Sequence, residues 1–323
     1  MSISNHNFFV FGSLYSHCYW ECRDLLELPN CQFINDAKFT KNPFIWFAYK
    51  VHNTGVINKR IPLPGRSLWF SQFLDDKRIS EERTNFFVFF DSNPHLYNPK
   101  FLNWLSNKPN ACLILYFDNS MSMRSFTDID YFNKYFSQIY TADKKDSEEF
   151  GFTYIEGLLS KKDIKDVDKE CDVFFCGRNK GREKSILQAY DILTSKGYDC
   201  NFTVVGATEQ REGIKTEPMS YGAMLDRVMA SKCVLEICDP TQVAYTMRTL
   251  EAIMYDKMLI TNNPLIEKSS YFNKDKIFVF KNIEEIENLP FDFTKSVSYN
   301  YQGEFSPIKL LERIVETFVS KGK

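Results

Sequence analysis

The chain lacks any apolar run approaching the ~20 residues that a membrane-spanning helix needs, so no transmembrane helix is expected. Its start, MSISNHNFFVFGS, lacks the basic region and long apolar stretch of a signal peptide. It also lacks an excess of either charge. The formal net charge is −2, so no global field draws it to nucleic acid, and no nucleic-acid partner is expected. Cysteines are scattered singly, nine in all, an odd number, and several sit inside strand patterns. That argues against a disulfide framework and for reduced, buried thiols in a cytoplasmic protein. His17, Cys18 and Cys22 are near enough in sequence to share a metal, but no second ligand cluster follows, and no metal is expected. Fixed-period repeats and low-complexity tracts are missing too. One absence is local: between Asp36 and Asp75 there is no acidic residue.

What is present is ordinary for a soluble globular protein: 44% hydrophobic and 25% charged residues, with a high aromatic share of 16%. A length of 323 residues is long for one core and comfortable for two domains.

The most informative stretch is 233–263, CVLEICDPTQVAYTMRTLEAIMYDKMLITNN. Cys233 to Cys238 reads as a short buried strand. The polar turn Asp239-Pro240-Thr241-Gln242 follows. A helix pattern begins near Tyr245 or Thr246, with Met247, Leu250, Ile253 and Met254 at helical spacing, and Met258 to Thr261 reads as a second strand. A turn feeding a helix from a strand end points backbone N–H groups outward and adds the positive end of the helix dipole, which suits a phosphate. Arg248 and Glu251 share one helix face. Arginine can hold phosphate oxygens in a fork, and glutamate can accept two sugar hydroxyls. The plainer alternative is a surface Arg–Glu pair.

A second loop has the same character. The strand Asp172 to Cys176 runs into Gly177-Arg178-Asn179-Lys180-Gly181-Arg182, then a helix from Glu183 to Leu193 and a strand from Asn201 to Val205. This is one βαβ unit. Gly177 lets backbone approach a ligand, and Arg178 and Lys180 could neutralise a diphosphate; the alternative is a solvated basic turn. Tyr221, at the start of helix 221–231, is a candidate for stacking on a base or for simple packing.

In the amino-terminal half, strands at Asn7–Gly12, Cys31–Asn35, Asn85–Phe90, Ala111–Phe117 and Ser137–Tyr140 are nearly all apolar, as in a parallel sheet covered on both faces. The last three end in polar loops beginning Asp91-Ser92-Asn93-Pro94-His95, Asp118-Asn119-Ser120 and Thr141-Ala142-Asp143. Ligands gather at such strand ends. The charge-rich segment 142–171 marks a domain junction.

The Glu251-Ala252 pair, the order strand–turn–helix, and the loop CGRNKGR together resemble the donor-binding half of GT-B glycosyltransferases. The form Gln-x3-Thr-x-Arg-x2-Glu-Ala is similar to that of bacterial capsule and lipopolysaccharide enzymes. FDSNPH, YFDN and YTADKKDSEEFG are similar to the amino-terminal half of the same family. The chain departs from the commonest motif: Val243 stands where a second acid is usual, and Ala244 and Tyr245 lie in its glycine-rich part. The resemblance implies an α/β protein of two Rossmann-like domains facing across a cleft: 1–157 on the acceptor side, 158–304 on the donor side, and a helix in 305–323 crossing back. It implies transfer of a sugar from a nucleotide donor, UDP-linked by expectation, to a hydroxyl of a cell-surface glycan or its lipid-linked precursor. Gly177, Arg178, Lys180, Tyr221, Gln242, Thr246, Met247, Arg248 and Glu251 are the expected donor contacts, with Glu251 on the ribose. Leaving-group charge would be met without a metal or other cofactor. Asp91, Asp118 and His95 are the candidate bases if configuration inverts; a retaining enzyme needs none. A sugar-nucleotide epimerase of this fold and a catalytically idle binding subunit are the alternatives.

Finally, residues 37–74 interleave Lys38, Lys41, Lys50, Lys59, Arg60 and Arg66 with Phe39, Phe44, Trp46, Phe47, Tyr49, Trp69 and Phe70. Such a mixture suits an anionic lipid surface, here the inner face of a membrane, or a lipid-linked diphosphate. Alternatively the rings fill the core and the lysines merely solvate one face.

Overall fold

A computed structural model describes residues 2–15, 17–35, 40–53, 65–74, 76–90, 98–124, 127–163, 171–238 and 244–321. The chain forms two compact units, Met1–Ser160 with Ser306–Lys323, and Lys161–Phe305.

The first unit is built on a six-stranded parallel sheet in the order β2-β1-β3-β4-β5-β6. Its strands are β1 (Asn7–Gly12), β2 (Cys31–Asn35), β3 (Asn85–Phe90), β4 (Ala111–Phe117), β5 (Gln138–Thr141) and β6 (Thr153–Tyr154). Strand side chains alternate between faces. Phe9, Phe11, Phe87, Phe89, Leu113 and Leu115 therefore point to one side, where they pack with Phe101, Leu102 and Leu105 of the helix Pro99–Ser106. Phe8, Val10, Phe86, Val88 and Ile114 point to the other, against Leu310, Leu311, Ile314 and Val315. Those four lie on the final helix, Pro307–Lys321, whose apolar residues recur every three to four positions. Phe11 and Phe89 are register partners and their rings stack at 4.4 Å. The strands are near-continuously apolar because both faces are covered.

The second unit repeats the plan: a six-stranded parallel sheet in the order β12-β11-β10-β7-β8-β9. The strands are β7 (Cys171–Arg178), β8 (Cys200–Val205), β9 (Ile214–Lys215), β10 (Ser231–Glu236), β11 (Met258–Thr261) and β12 (Ile277–Val279). Numbered within the unit this is 3-2-1-4-5-6, the dinucleotide-fold order, with strand order reversing between β7 and β10. In open α/β sheets the carboxyl ends of the strands at such a reversal are where ligands bind.

All nine cysteines are free thiols. Burial pushes Cys31 and Cys200 up to about 12, which leaves them inert near neutrality. Among the described residues no helix is long and apolar enough to cross a membrane.

Candidate active site

The reversal point in the second unit is where the sequence places its donor candidates. After β7 the chain turns through Asn179 to Arg182, with Lys180 and Gly181 both in the left-handed region, at φ 44° and 79°. Arg178 and Lys180 are exposed on this turn. Arg182 was assigned no role from sequence, yet it ties the two strand ends together. Its Nη2 donates to the Arg178 carbonyl at 3.0 Å, and its Nη1 donates to the carbonyl of Ile237, just past β10. Asn179 and Glu183 fasten the same turn. Asn179 Oδ1 accepts from Glu183 N at 3.0 Å, and the Glu183 carboxylate accepts from Thr208 N at 2.6 Å.

The helix Met247–Met254 starts with Thr246 as its N-cap, the hydroxyl accepting from Arg248 N at 3.1 Å. The same hydroxyl donates to Glu236 Oε1. Glu236, the last residue of β10, is 1% exposed. It also accepts from the hydroxyls of Thr249, at 2.9 Å, and Thr261. Three hydroxyls thus satisfy one buried carboxylate and fix the helix start to the sheet. The available signal was an acid closing an otherwise apolar strand, followed by threonines. The loop between β10 and the helix is pinned at both ends: Asn262 pairs with both main-chain groups of Cys238, at 2.6 and 3.2 Å, and Asn263 Nδ2 donates to the Ala244 carbonyl at 3.0 Å. Gln242 lies outside the described residues.

Arg248 is half-buried and crosses to β7. Its Nη2 donates to the Cys176 carbonyl, and the guanidinium lies 5.4 Å from the Phe175 ring centroid. A Cβ on residue 177 would come within 2.5 Å of that Nη2, so the guanidinium occupies space that only glycine leaves open. Arg248 Nε is buried with no partner among the described residues. A buried guanidinium N–H without an acceptor is costly, and an anion at this edge would supply one.

Glu251 is 1% exposed, which excludes a surface Arg–Glu pair. Burial raises its pKa to about 7; the Tyr221 hydroxyl and Arg248 pull it down, and Glu236 pushes it up. The Tyr221 hydroxyl donates to Glu251 Oε1 at 2.5 Å. Tyr221, the sequence candidate for stacking or packing, thus holds the Glu251 carboxyl group through its hydroxyl. Met247, Arg248 and Glu251 thus lie on one helix capped by Thr246, Arg248 reaches Gly177 and Tyr221 reaches Glu251, so six of the nine donor candidates are brought together.

In the first unit, Asp118 directly follows β4. Its Oδ1 accepts from Asn119 Nδ2 at 2.7 Å and faces Arg124 Nη2 at 3.6 Å. Glu21, on the helix His17–Cys22, is 7% exposed. Burial, and then the charge of Asp118, raise Glu21 to about 8; burial also raises Asp118, against its bond from Asn119. Sequence reasoning missed Glu21, because a lone acid on a short helix gives no signal until the fold sets it near β4. Asp91 and His95 lie outside the described residues. The Cys22 thiol donates to the Cys18 carbonyl at 2.9 Å, and His17 Nε2 lies 3.7 Å from Cys18 Sγ. Among the described residues, no group of three His, Cys, Asp or Glu side chains could hold a metal ion.

Two parallel six-stranded sheets flanked by helices, one in each unit, define the GT-B class of α/β fold. No family model matches the chain, and no curated protein matches it by sequence. Solved structures do. Anabaena HepE in complex with UDP superposes with a TM-score of 0.59 at 12% identity, over 98% of this chain and 100% of that one. An α-glucosyltransferase in complex with UDP-glucose and DNA containing an abasic site gives 0.53 at 10% identity, over 96% and 99%. A Listeria monocytogenes protein carrying the name of a UDP-N-acetylglucosamine 2-epimerase gives 0.52 at 9% identity, over 98% and 97%. Likeness at such identities is likeness of fold.

Proposed function

We propose that the protein is a glycosyltransferase that moves a sugar from a UDP-linked donor to a hydroxyl of a glycan or its lipid-linked precursor, of the bacterial capsule and lipopolysaccharide kind. The observation that carries this is the reversal point of the second sheet. There a glycine admits a half-buried arginine beside a capped helix start, and a buried glutamate lies on the same helix. In this reading the diphosphate meets Arg178, Lys180, Arg248 and the N–H groups at the helix start, and Glu251 accepts the ribose hydroxyls. Structures of the same fold that hold UDP or UDP-glucose support it.

The acceptor oxygen attacks the anomeric carbon as the bond to the diphosphate breaks. UDP leaves with the electron pair, its charge met by the arginines and the lysine rather than by a metal. If configuration inverts, Asp118 takes the acceptor's proton; a retaining transfer needs no such base. The acceptor is taken as a glycan rather than DNA because the net charge of −2 gives no field toward a polyanion.

Transfer assays over a panel of nucleotide sugars, with glycan and lipid-linked acceptors, test the proposal. Asp118→Asn is expected to cut turnover by 10²-fold or more while leaving UDP affinity nearly unchanged. Wild-type turnover in that variant removes the base role, and no binding of any nucleotide diphosphate removes the whole reading. One second reading is an epimerase acting on the donor sugar itself, supported by the likeness in fold to a structure that carries the name of a UDP-N-acetylglucosamine 2-epimerase. Isomerisation of a UDP-sugar without any acceptor would establish it.

A further inference from the structure

The stretch that is free of acidic residues divides sharply in the fold. Tyr49, Trp69, Phe70 and Phe73 enter the core of the first unit. Phe44 and Phe47 do not: they are 82% and 69% exposed, one helical turn apart on the helix Pro43–Asn53. Tyr49 and His52, on the inward face of that helix, are buried, so the outward placement of the two phenylalanines follows from helical periodicity. Leu68, on the adjacent 3-10 turn Arg66–Gln72, is 65% exposed. Lys41 is exposed just before the helix, and Lys50 is exposed on it, its ammonium 4.6 Å from the Trp46 ring centroid.

We propose that Phe44, Phe47 and Leu68, flanked by Lys41 and Lys50, form a docking surface for an anionic lipid bilayer. Three large apolar side chains in water are unfavourable singly and mark an interaction site when they lie on adjoining elements. The chemistry of the surroundings selects the occupant. Across 37–74 the chain carries six basic residues and no acidic one, in a protein whose overall charge is −2. A helix whose apolar face enters the acyl boundary while its lysines meet headgroup phosphates is the interfacial arrangement. Duplex DNA would use the lysines but leave the phenylalanines exposed. A second copy of a weakly acidic chain would offer no matching excess of negative charge. The proposal stands independently of the transfer reading, since it concerns a surface and uses no donor contact.

The test is flotation of the full chain with vesicles of phosphatidylglycerol and phosphatidylcholine, against phosphatidylcholine alone, at low and high salt. Recovery is expected with the anionic vesicles and is expected to fall with salt. Phe44→Ser with Phe47→Ser should weaken binding roughly a hundredfold, about tenfold for each ring removed from an apolar layer. Lys41→Glu with Lys50→Glu should weaken it at least ~25-fold, about fivefold for each cation lost near the surface. Both pairs are exposed, so circular dichroism and melting should be unchanged. Equal recovery on neutral vesicles at low salt overturns the proposal, as does full flotation of the double serine variant. Binding to a short DNA duplex without vesicle binding overturns it in favour of nucleic acid. Self-association lost in the serine variant without vesicle binding overturns it in favour of a second copy.

Discussion

At the scale of single residues, the site depends on a carboxyl that sits where water cannot reach it. Burial lifts the Glu251 pKa to about 7, so the carboxyl titrates near neutral pH. Ribose hydroxyls donate to the ionised form best, so donor affinity should rise as pH passes upward through about 7. Titration calorimetry with UDP-glucose from pH 6 to pH 8 checks this; the sugar nucleotide lacks the phosphomonoester ionisation near pH ~6 that would confuse UDP itself. Glu251→Ala should lose roughly ten- to a hundredfold in affinity and its pH dependence, whereas an unchanged profile removes the ribose role. The same shift acts on stability with a definite sign. A carboxyl whose pKa rises on folding takes up protons between about 4.5 and 7 as the chain folds, so stability falls as pH rises through that window. Glu251→Gln should flatten that fall, by an amount on the order of 3 kcal/mol at most. Gly177 offers a second test. An alanine Cβ would displace the tip of Arg248, a movable group, so Gly177→Ala should cost within about 1 kcal/mol of stability yet lower turnover tenfold or more. Equal kinetics with the wild type would show that the arginine's position does not matter.

At the scale of the element, the short helix Met247–Met254 owes its position to one acid on the neighbouring strand. Glu236 gathers the hydroxyls of Thr246, Thr249 and Thr261, joining the helix cap, the helix body and β11. Glu236→Ala leaves three threonine hydroxyls to find other acceptors in a buried pocket and should cost about 2–4 kcal/mol, measured by denaturant unfolding. Glu236→Gln keeps an acceptor but turns an N–H₂ toward hydroxyls that must then reorient, so it should lose less. Because the Glu236 charge raises Glu251, the glutamine variant should also move the midpoint of pH-dependent donor binding downward. A merely structural residue would leave that midpoint in place. The strand–turn–helix order and the Arg248–Glu251 spacing were legible in sequence, since strands and helices repeat with different periods. The Glu236 cluster was not, because its members come from three elements that only folding brings together.

At the scale of the whole molecule, the final helix is held in the first unit by Leu310, Leu311, Ile314 and Val315 and by Phe318 against Phe86. His6 is buried beside both of those rings, and neither of its nitrogens has a partner among the described residues. Its pKa is lowered, first by burial and then by Arg83 and the amino terminus. A histidine depressed on folding contributes stability that is complete above its unfolded value near 6.5 and is lost as pH falls through the folded value. His6→Phe removes that contribution, so relative to the wild type it should raise the melting temperature more at pH 5 than at pH 7. A variant that melts with the wild-type pH profile would show that His6 is not the titrating group.

Sequence alone determined the two-sheet α/β fold, because long apolar strands alternating with amphipathic helices leave few other ways to bury both faces of a sheet. It also marked the candidate donor loops, since a glycine followed by basic residues and an arginine three places before a glutamate are local patterns. Only the tertiary structure decided which of these side chains meet. The Arg248 guanidinium lies over the space left by Gly177, Tyr221 reaches Glu251 from another helix, and Glu21 is brought near Asp118. It also separated the aromatic residues of 37–74 into those that fill the core and those that face water. The physical reason is one of range. Periodicity and turn chemistry act over a few residues, whereas burial, desolvation and the pairing of hydroxyls with carboxylates depend on neighbours that are distant in the chain.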